Sequence, residues 1–224
     1  TTSWGAAMPP RKDYPMADYC SSSDIKADIP DSPLASTTDT TYDTALNGFI
    51  TAASRLIDRE VGRGDNWFAS TDSQTRYFDG SGEVTQEIDE CHTLTSVAVA
   101  ESGGTAAADY TAWTLDTDYY TWPYQHATLG VPVVRLIADW NGDKSVFPCY
   151  RKAIKVVGSF GYSATPPDDV KQACKIQSTR WFARAKQLYQ DAGAAAQTGQ
   201  LIYAQSLDPD IKEILRYYQI GNMV

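Results

Sequence analysis

The chain has 224 residues, 42% of them hydrophobic, a formal net charge of −9 and a pI near 4.6. That length allows one large domain or two small ones and can bury a real core, while the acidity argues against a phosphate-gripping surface, which needs clustered Lys and Arg. The cysteines, Cys20, Cys91, Cys149 and Cys174, form no CxxC pair, so reduced and mostly buried thiols are expected, with a disulfide or a reactive thiol as the alternatives. No apolar run approaches the roughly 20 residues that span a membrane. The polar N-terminal stretch containing Pro9, Pro10, Arg11, Lys12, Asp13 and Pro15 carries no signal-peptide pattern, which sets the expectation of a protein made and used in a cytoplasm.

Residues 1–19 show no hydrophobic period and are expected to form an extended arm that needs a partner to become ordered. Ser22 or Ser23 is placed to cap a short helix from Asp24 to Ile29, which Pro30 stops. Asp31 to Thr41 reads as a loop. Apolar residues at Tyr42, Ala45, Leu46, Phe49, Ile50, Ala53, Leu56, Ile57 and Val61 then follow the i, i+3, i+4, i+7 spacing of one helical face. Gly62 ends that helix, and Arg59 and Arg63 suit its negative end.

From 64 to 158 the period changes to two and the composition to aromatic and β-branched residues, with turns at Asp79-Gly80, Gly103-Gly104 and Asn141-Gly142. Strands are predicted at 75–79, 83–88, 94–100, 110–115, 118–121, 132–139, 145–149 and 151–157. They amount to an antiparallel β-domain inserted between helical segments. This insert holds most of the acidity, with 13 acidic against 6 basic residues.

The stretch from Val156 to Trp181 returns the chain from strand to helix. Thr165 is the expected N-cap, Pro166 and Pro167 lie where helical amides are unbonded anyway, and Asp168 and Asp169 meet the positive end of the helix dipole. The helix is predicted to run to about Gln190, with a broad but interrupted face of Val170, Ala173, Cys174, Gln177, Arg180, Trp181 and Ala185. Asp191 to Gln200 reads as a loop or a frayed end. A last helix follows, capped by Asp208 with Pro209 in its first turn, whose apolar face carries Leu207, Ile211, Ile214, Leu215 and Tyr218. The chain finishes on an apolar tail, 220–224. The expected fold class is α+β, with a small helical bundle (20–63 and 159–219) carrying the inserted β-domain (64–158).

The chemistry-bearing patterns are sparse. There is no GxSxG elbow, Walker loop, GxGxxG or HExxH. His92 and His126 stand apart, and Cys91 and His92, adjacent in a strand, point to opposite faces. Asp139-Trp-Asn-Gly-Asp143 begins like a calcium loop, but its glycine is Gly142 where that loop needs one at position 144, and Tyr150 stands where the bidentate glutamate should be, so an Asn-Gly type I′ turn is expected. Asp116 and Asp118 read as solvated residues flanking a strand. No catalytic residue, metal ligand or cofactor is assigned. The aromatics Trp113, Tyr119, Tyr120, Trp122, Tyr124 and Trp140 are consistent with a small β-core and cross-strand pairs, or with a binding face. Trp122-Pro123-Tyr124 is the first place to expect a subunit contact.

Four segments resemble the head-tail connector, or adaptor, proteins of tailed bacteriophages and gene-transfer agents. They are the short helix within Tyr19 to Ile29 (SSSDIKADI); ALNGFITAASRLIDREVGR, residues 45–63, with Thr75-Arg-Tyr-Phe-Asp-Gly80; VVGSFGYSATPPDDVKQA, residues 156–173; and the closing LDPDIKEIL. The middle of the insert matches only loosely. The resemblance implies a virion protein, made in a host cytoplasm, that forms a ring, usually of twelve copies, beneath the portal at the capsid vertex. Its implied partners are the portal protein, neighbouring copies of itself and the next connector or tail protein; DNA passes through without sequence-specific binding, and no membrane is involved. An acidic wall suits such passage. On this view Leu207, Ile211, Leu215, Tyr218, Ile220, Met223 and Val224 are expected to dock on the portal, and Trp113, Tyr120, Trp122, Tyr124 and Trp140 to contact neighbours or the tail. An alternative makes the insert a glycan-recognising or host-surface-binding module through Trp113, Trp122 or Trp140.

Overall fold

The 42–61 stripe forms the helix around which one half of the molecule packs. In the computed structural model, which describes residues 17–28, 40–104, 109–186 and 207–219, the helices are α1 (Ser22–Asp28), α2 (Asp43–Val61), α3 (His126–Leu129), α4 (Asp168–Lys186) and α5 (Pro209–Arg216). The strands are β1 (Ser73–Phe78), β2 (Thr85–Val99), β3 (Thr111–Trp113), β4 (Tyr119–Trp122), β5 (Val133–Ala138) and β6 (Ile154–Phe160). The fold is α+β, and the expectations for the N-terminal arm up to residue 16, the Asp31 to Thr41 loop apart from its last two residues, the 191–200 loop and the 220–224 tail lie outside the described residues. The last residue assigned to the arm, Tyr19, is a correction: it is buried in the chain's own helical core, with its amide on Ser54 Oγ at 3.0 Å.

Leu46, Ile50, Ala53, Ile57 and Val61 of α2 are fully buried against Val170, Ala173 and Cys174 of α4 and Leu207, Ile211 and Leu215 around α5. Gly62 ends α2 at φ 77°, where its amide reaches Arg59 O at 3.1 Å and the Arg63 amide reaches Asp58 O at 3.1 Å. This double closure satisfies carbonyls that the helix end would leave bare, and the left-handed φ favours glycine.

The helix starts depart from expectation in two places. Ser21, rather than Ser22 or Ser23, caps α1: its Oγ accepts the Asp24 amide (3.2 Å) while Asp24 Oδ2 accepts the Ser21 amide (2.8 Å). A reciprocal cap of this kind needs the acidic residue three positions on, which only Ser21 has. At α4 the Lys171 amide bonds to Pro167 O (2.9 Å), which puts Pro167 rather than Thr165 at the cap. Thr165 instead accepts the Ser163 hydroxyl through its carbonyl (2.7 Å). Asp169 does more than meet the helix dipole, because its carboxylate accepts the Tyr218 hydroxyl at 3.0 and 2.9 Å and ties the end of α5 to the start of α4. Asp208 caps α5 as expected, accepting the Asp210 amide at 3.1 Å.

The strands form one antiparallel sheet in the order β1-β6-β2-β5-β4, with β3 beside the far end of β2. Residues 83–88 and 94–100 are parts of a single long strand. β2 continues through Asp89 to Thr93, with register shifts at Cys91/Thr93 and Leu94/Ser96 against β6. Such bulges let one strand change partners along its length, from β5 to β3 on the same edge. Residues 145–149 are not a strand: Phe147 leaves the loop to stack on Trp113, with centroids 4.9 Å apart. Nor does Asn141-Gly142 make a type I′ turn. Asp139 accepts the Asn141 amide through Oδ1 (3.1 Å) and the Gly142 amide through its carbonyl (2.9 Å), neither Trp140 nor Asn141 has a positive φ, and no strand follows directly. α3, unforeseen from periodicity, is a single turn closed by Gly130.

Two cores result. The sheet core gathers Val97, Val99, Trp113, Leu136, Phe147, Ile154 and Val156, and the helical core centres on Phe68. The rings of Tyr19, Trp67, Tyr162 and Tyr218 lie 4.6 to 5.9 Å from that of Phe68, mostly edge-on, the arrangement the ring quadrupoles favour. Trp67, Phe68 and Ala69, assigned from sequence to the β-domain, thus pack with the helices. Two backbone connections carry the chain between cores and bond to each other. The Tyr162 amide reaches Trp67 O (2.7 Å), Ser70 N reaches Ser163 O (3.0 Å), and Gly161 N reaches Glu90 O (2.8 Å). At Gly161 a Cβ would lie 2.7 Å from Trp67 O, and φ is 149°.

Gly161→Ala is therefore expected to destabilise the chain by about 1–3 kcal/mol, lowering the melting temperature by roughly 2–4 °C for each kcal/mol in a calorimetric scan. A second expectation concerns Asp58, a fully buried carboxylate on α2 that accepts the Tyr19 hydroxyl, the Asn66 amide (3.1 Å) and an Arg55 ion pair (3.2 Å). Burial pushes it up to about 6, against the pull of those partners. The folded protein thus binds this proton before the unfolded chain does. Its stabilising contribution is complete below about pH 4 and is lost as pH rises through 6, a change on the order of 2–3 kcal/mol. In urea titrations the stability of the wild type relative to Asp58→Asn should fall by that amount between pH 4 and pH 7.5; a flat difference would count against it.

Candidate subunit interface

A cleft of about 1020 Å³ opens where the helical half meets the sheet, lined by residues 62–65, Trp67, β1, β2, β5, the Trp122-Pro123 turn, Phe160, Gly161 and Tyr217. Its floor is built from the end of α2. Arg63, released by Gly62, pairs with Glu90 of β2 at 2.6 Å and lies over the Trp67 ring, 4.8 Å from its centroid. Trp67 donates its indole N–H to the same carboxylate at 2.7 Å. Burial pushes Glu90 above the usual carboxylate range, and Arg63 and the Trp67 indole hold it down. One carboxylate thus receives a cation and an indole from the helical side, a charge-assisted tie between the two cores.

Towards the sheet edges the cleft is lined by further ion pairs. Arg76 of β1 pairs with Asp89 at 2.7 Å and covers the Phe160 ring at 4.2 Å, and Arg135 of β5 approaches Glu87 at 3.5 Å. These alternating charges across the sheet leave a polar wall, and the apolar material sits at the rim. Trp122 is 40% exposed and Tyr124 60%, with ring centroids 5.0 Å apart, and Tyr217, just past α5, is 61% exposed. The Trp122-Pro123 peptide is cis. Trp140, on the turn after β5, is 70% exposed.

The sequence-predicted contact residues divide. Trp122, Tyr124 and Trp140 are exposed and Tyr120 is half-buried, 6.4 Å from the Tyr124 ring. Trp113 is a correction: it is buried, stacked on Phe147 and covered by Lys144 at 5.5 Å, and so belongs to the sheet core and offers neither a partner nor a sugar any face. Leu207, Ile211, Leu215 and Tyr218 are corrected likewise. All four are buried in the chain's own helical core, because the apolar face of α5 is the face that closes the bundle. Ile220, Met223 and Val224 lie outside the described residues. Tyr217 escaped sequence analysis, since it stands one residue off the apolar stripe; that offset was itself the available signal.

The remaining chemistry-bearing side chains serve the fold. His92 joins β2 to the first crossing through a 2.6 Å hydrogen bond between Nε2 and Ser70 O, and Thr93 Oγ1 lies 2.8 Å from its Nδ1. Asp118 accepts the Thr114 amide at 2.7 Å in the turn between β3 and β4, and Asp116 occupies the left-handed position of that turn at φ 63°. Among the described residues no group of three or more His, Cys, Asp or Glu could hold a metal ion, and no helix is long and apolar enough to cross a membrane.

No family model and no curated protein matches the sequence. Solved structures do. A chain in the neck of an empty gene-transfer-agent (GTA) particle, computed with C6 symmetry, superimposes with a TM-score of 0.50 at 12% identity, covering 90% of this chain and 89% of that one. A chain in the neck of a native GTA particle, computed with C12 symmetry, gives 0.45 at 12% identity over 79% and 82%. The first likeness spans both the helical half and the sheet, and it establishes that the chain shares the fold of a protein in a GTA particle neck.

Proposed function

We propose that the chain is a structural neck protein of a phage-like particle, a head-tail connector that works as one copy in a ring. The observation that carries this reading is the shared fold with a neck chain over 90% of the sequence, helices and sheet together. The neck in question was computed with C6 symmetry, with which a ring of twelve is compatible. On this reading the protein resides in the virion between the portal and the next connector or tail protein. The acidic insert helps to line or flank the channel, where like charge keeps DNA from adhering.

The contact surfaces follow from exposure. Trp122, at the cleft rim with Tyr217, and Tyr124 beside it present rigid aromatic area of the kind that dominates interfaces. A neighbouring copy is the proposed occupant of that rim, and Trp140 on its turn is left for the tail-side partner. The apolar face of α5 is used internally, so portal docking falls on the segment after it, Ile220, Met223 and Val224, with the outer face of α5.

Two outcomes are expected. Deleting residues 219–224 should leave the melting temperature within a degree or two of the full chain, since the apolar α5 core is untouched, yet abolish attachment to portal-bearing capsids in electron micrographs; normal attachment would sink the docking assignment. Trp122→Ser combined with Tyr124→Ser should weaken ring formation on portal-bearing capsids at least tenfold, the range of an interface hot spot, with the circular-dichroism spectrum unchanged. Unaltered ring occupancy would remove these residues from the interface.

A further inference from the structure

Cys20 and Cys174 stand 154 residues apart in sequence, one on the segment that leads into α1 and the other in the middle of α4, yet their sulfurs are 3.2 Å apart. That is closer than the roughly 3.5–4.0 Å at which packed carbon atoms rest and about 1.2 Å beyond a sulfur–sulfur bond. Both side chains are at least nine-tenths buried, with Ser54 Oγ at 3.5 Å and Ser178 Oγ at 3.9 Å from the Cys174 sulfur, and at 3.2 Å nothing stands between the two sulfurs. The other two cysteines have no such neighbour. Cys91 lies in the sheet core with its thiol on Thr93 O at 3.3 Å, and Cys149 is exposed.

We propose that Cys20 and Cys174 are a disulfide site, closed when the folded chain meets a small-molecule disulfide, and that the bond staples the segment before α1 onto α4. Cys20, the more exposed of the two at 7%, attacks the small disulfide and releases one thiol, leaving a mixed disulfide. Cys174 then displaces the second thiol from Cys20. The two protein protons leave with the two released thiols, and the two electrons lost by the cysteines reduce the oxidant. The join ties the same segment that Tyr19 anchors through its hydroxyl on Asp58 and its amide on Ser54 Oγ (3.0 Å). Closing so long a loop restricts the unfolded chain.

The test is to incubate the folded full chain in a glutathione redox buffer, unfold it, alkylate the remaining thiols, and map the peptides by mass spectrometry. A Cys20–Cys174 linked peptide is expected, with Cys91 and Cys149 alkylated, and the linked chain should melt about 5–15 °C above the reduced one. Cys149→Ser should keep both the link and the shift, and Cys174→Ser should lose both. Because the wild-type map decides the pairing, a variant that fails to fold does not obscure the result. A link through Cys91 or Cys149, four alkylated thiols, or a linked chain that melts no higher than the reduced one overturns the proposal.

Discussion

The two halves of this molecule hold together through a pair of chain crossings that hydrogen-bond to each other. The outgoing crossing carries Trp67 and Phe68, and the returning one carries Gly161, Tyr162 and Ser163. A crossing between two cores exposes backbone groups that neither core can satisfy, and pairing one crossing against the other satisfies both. The same few residues then serve each side. Phe68 and Tyr162 are packed among the helices, the Trp67 indole donates to Glu90 of the sheet, and the Gly161 amide donates to Glu90 O. Gly161 lies so near Trp67 O that a side chain there would force the crossings apart.

The helical core encloses polar contacts among its apolar ones. Asp58 on α2 gathers the Tyr19 hydroxyl, the Asn66 amide and Arg55, which draws the N-terminal segment and the end of α2 into one network. Buried charge is tolerated only where such partners converge. Ser54 and Ser178 return their hydroxyls to carbonyls of their own helices, Ile50 O at 2.9 Å and Cys174 O at 2.7 Å. This is why α4 can bury Ser178 beside Val170 and Ala173, and polar residues such as Ser178 and Gln177 on the buried face are why its sequence pattern looks interrupted.

Surface chemistry divides in the opposite sense. The cleft walls are lined by matched charges, Arg63 with Glu90, Arg76 with Asp89 and Arg135 with Glu87, whereas the aromatic side chains Trp122, Tyr124, Trp140 and Tyr217 extend outward. Exposed aromatics beside internally paired ions describe a surface shaped for association, where apolar area supplies affinity and charge sets register.

Sequence alone determined the local elements. The 3.6 period located α2, Gly62 its end, and Asp208-Pro209 the start of α5, because caps and periodicity act over one helical turn. Period two located much of the sheet. Only the tertiary structure decided what each face touches. The apolar stripe of α5, legible as a binding face, is closed over by α2 and α4; Trp113, legible as a platform, is covered by Phe147; and Trp67-Phe68, in a segment with strand-like composition, belongs to the helices. β2 could not be recognised as one strand, since its bulges are dictated by β6 and β5 rather than by its own residues. Periodicity reports that a face is apolar, but which neighbour covers it depends on contacts between residues far apart in the chain, as between Cys20 and Cys174, and those exist only once the chain has folded.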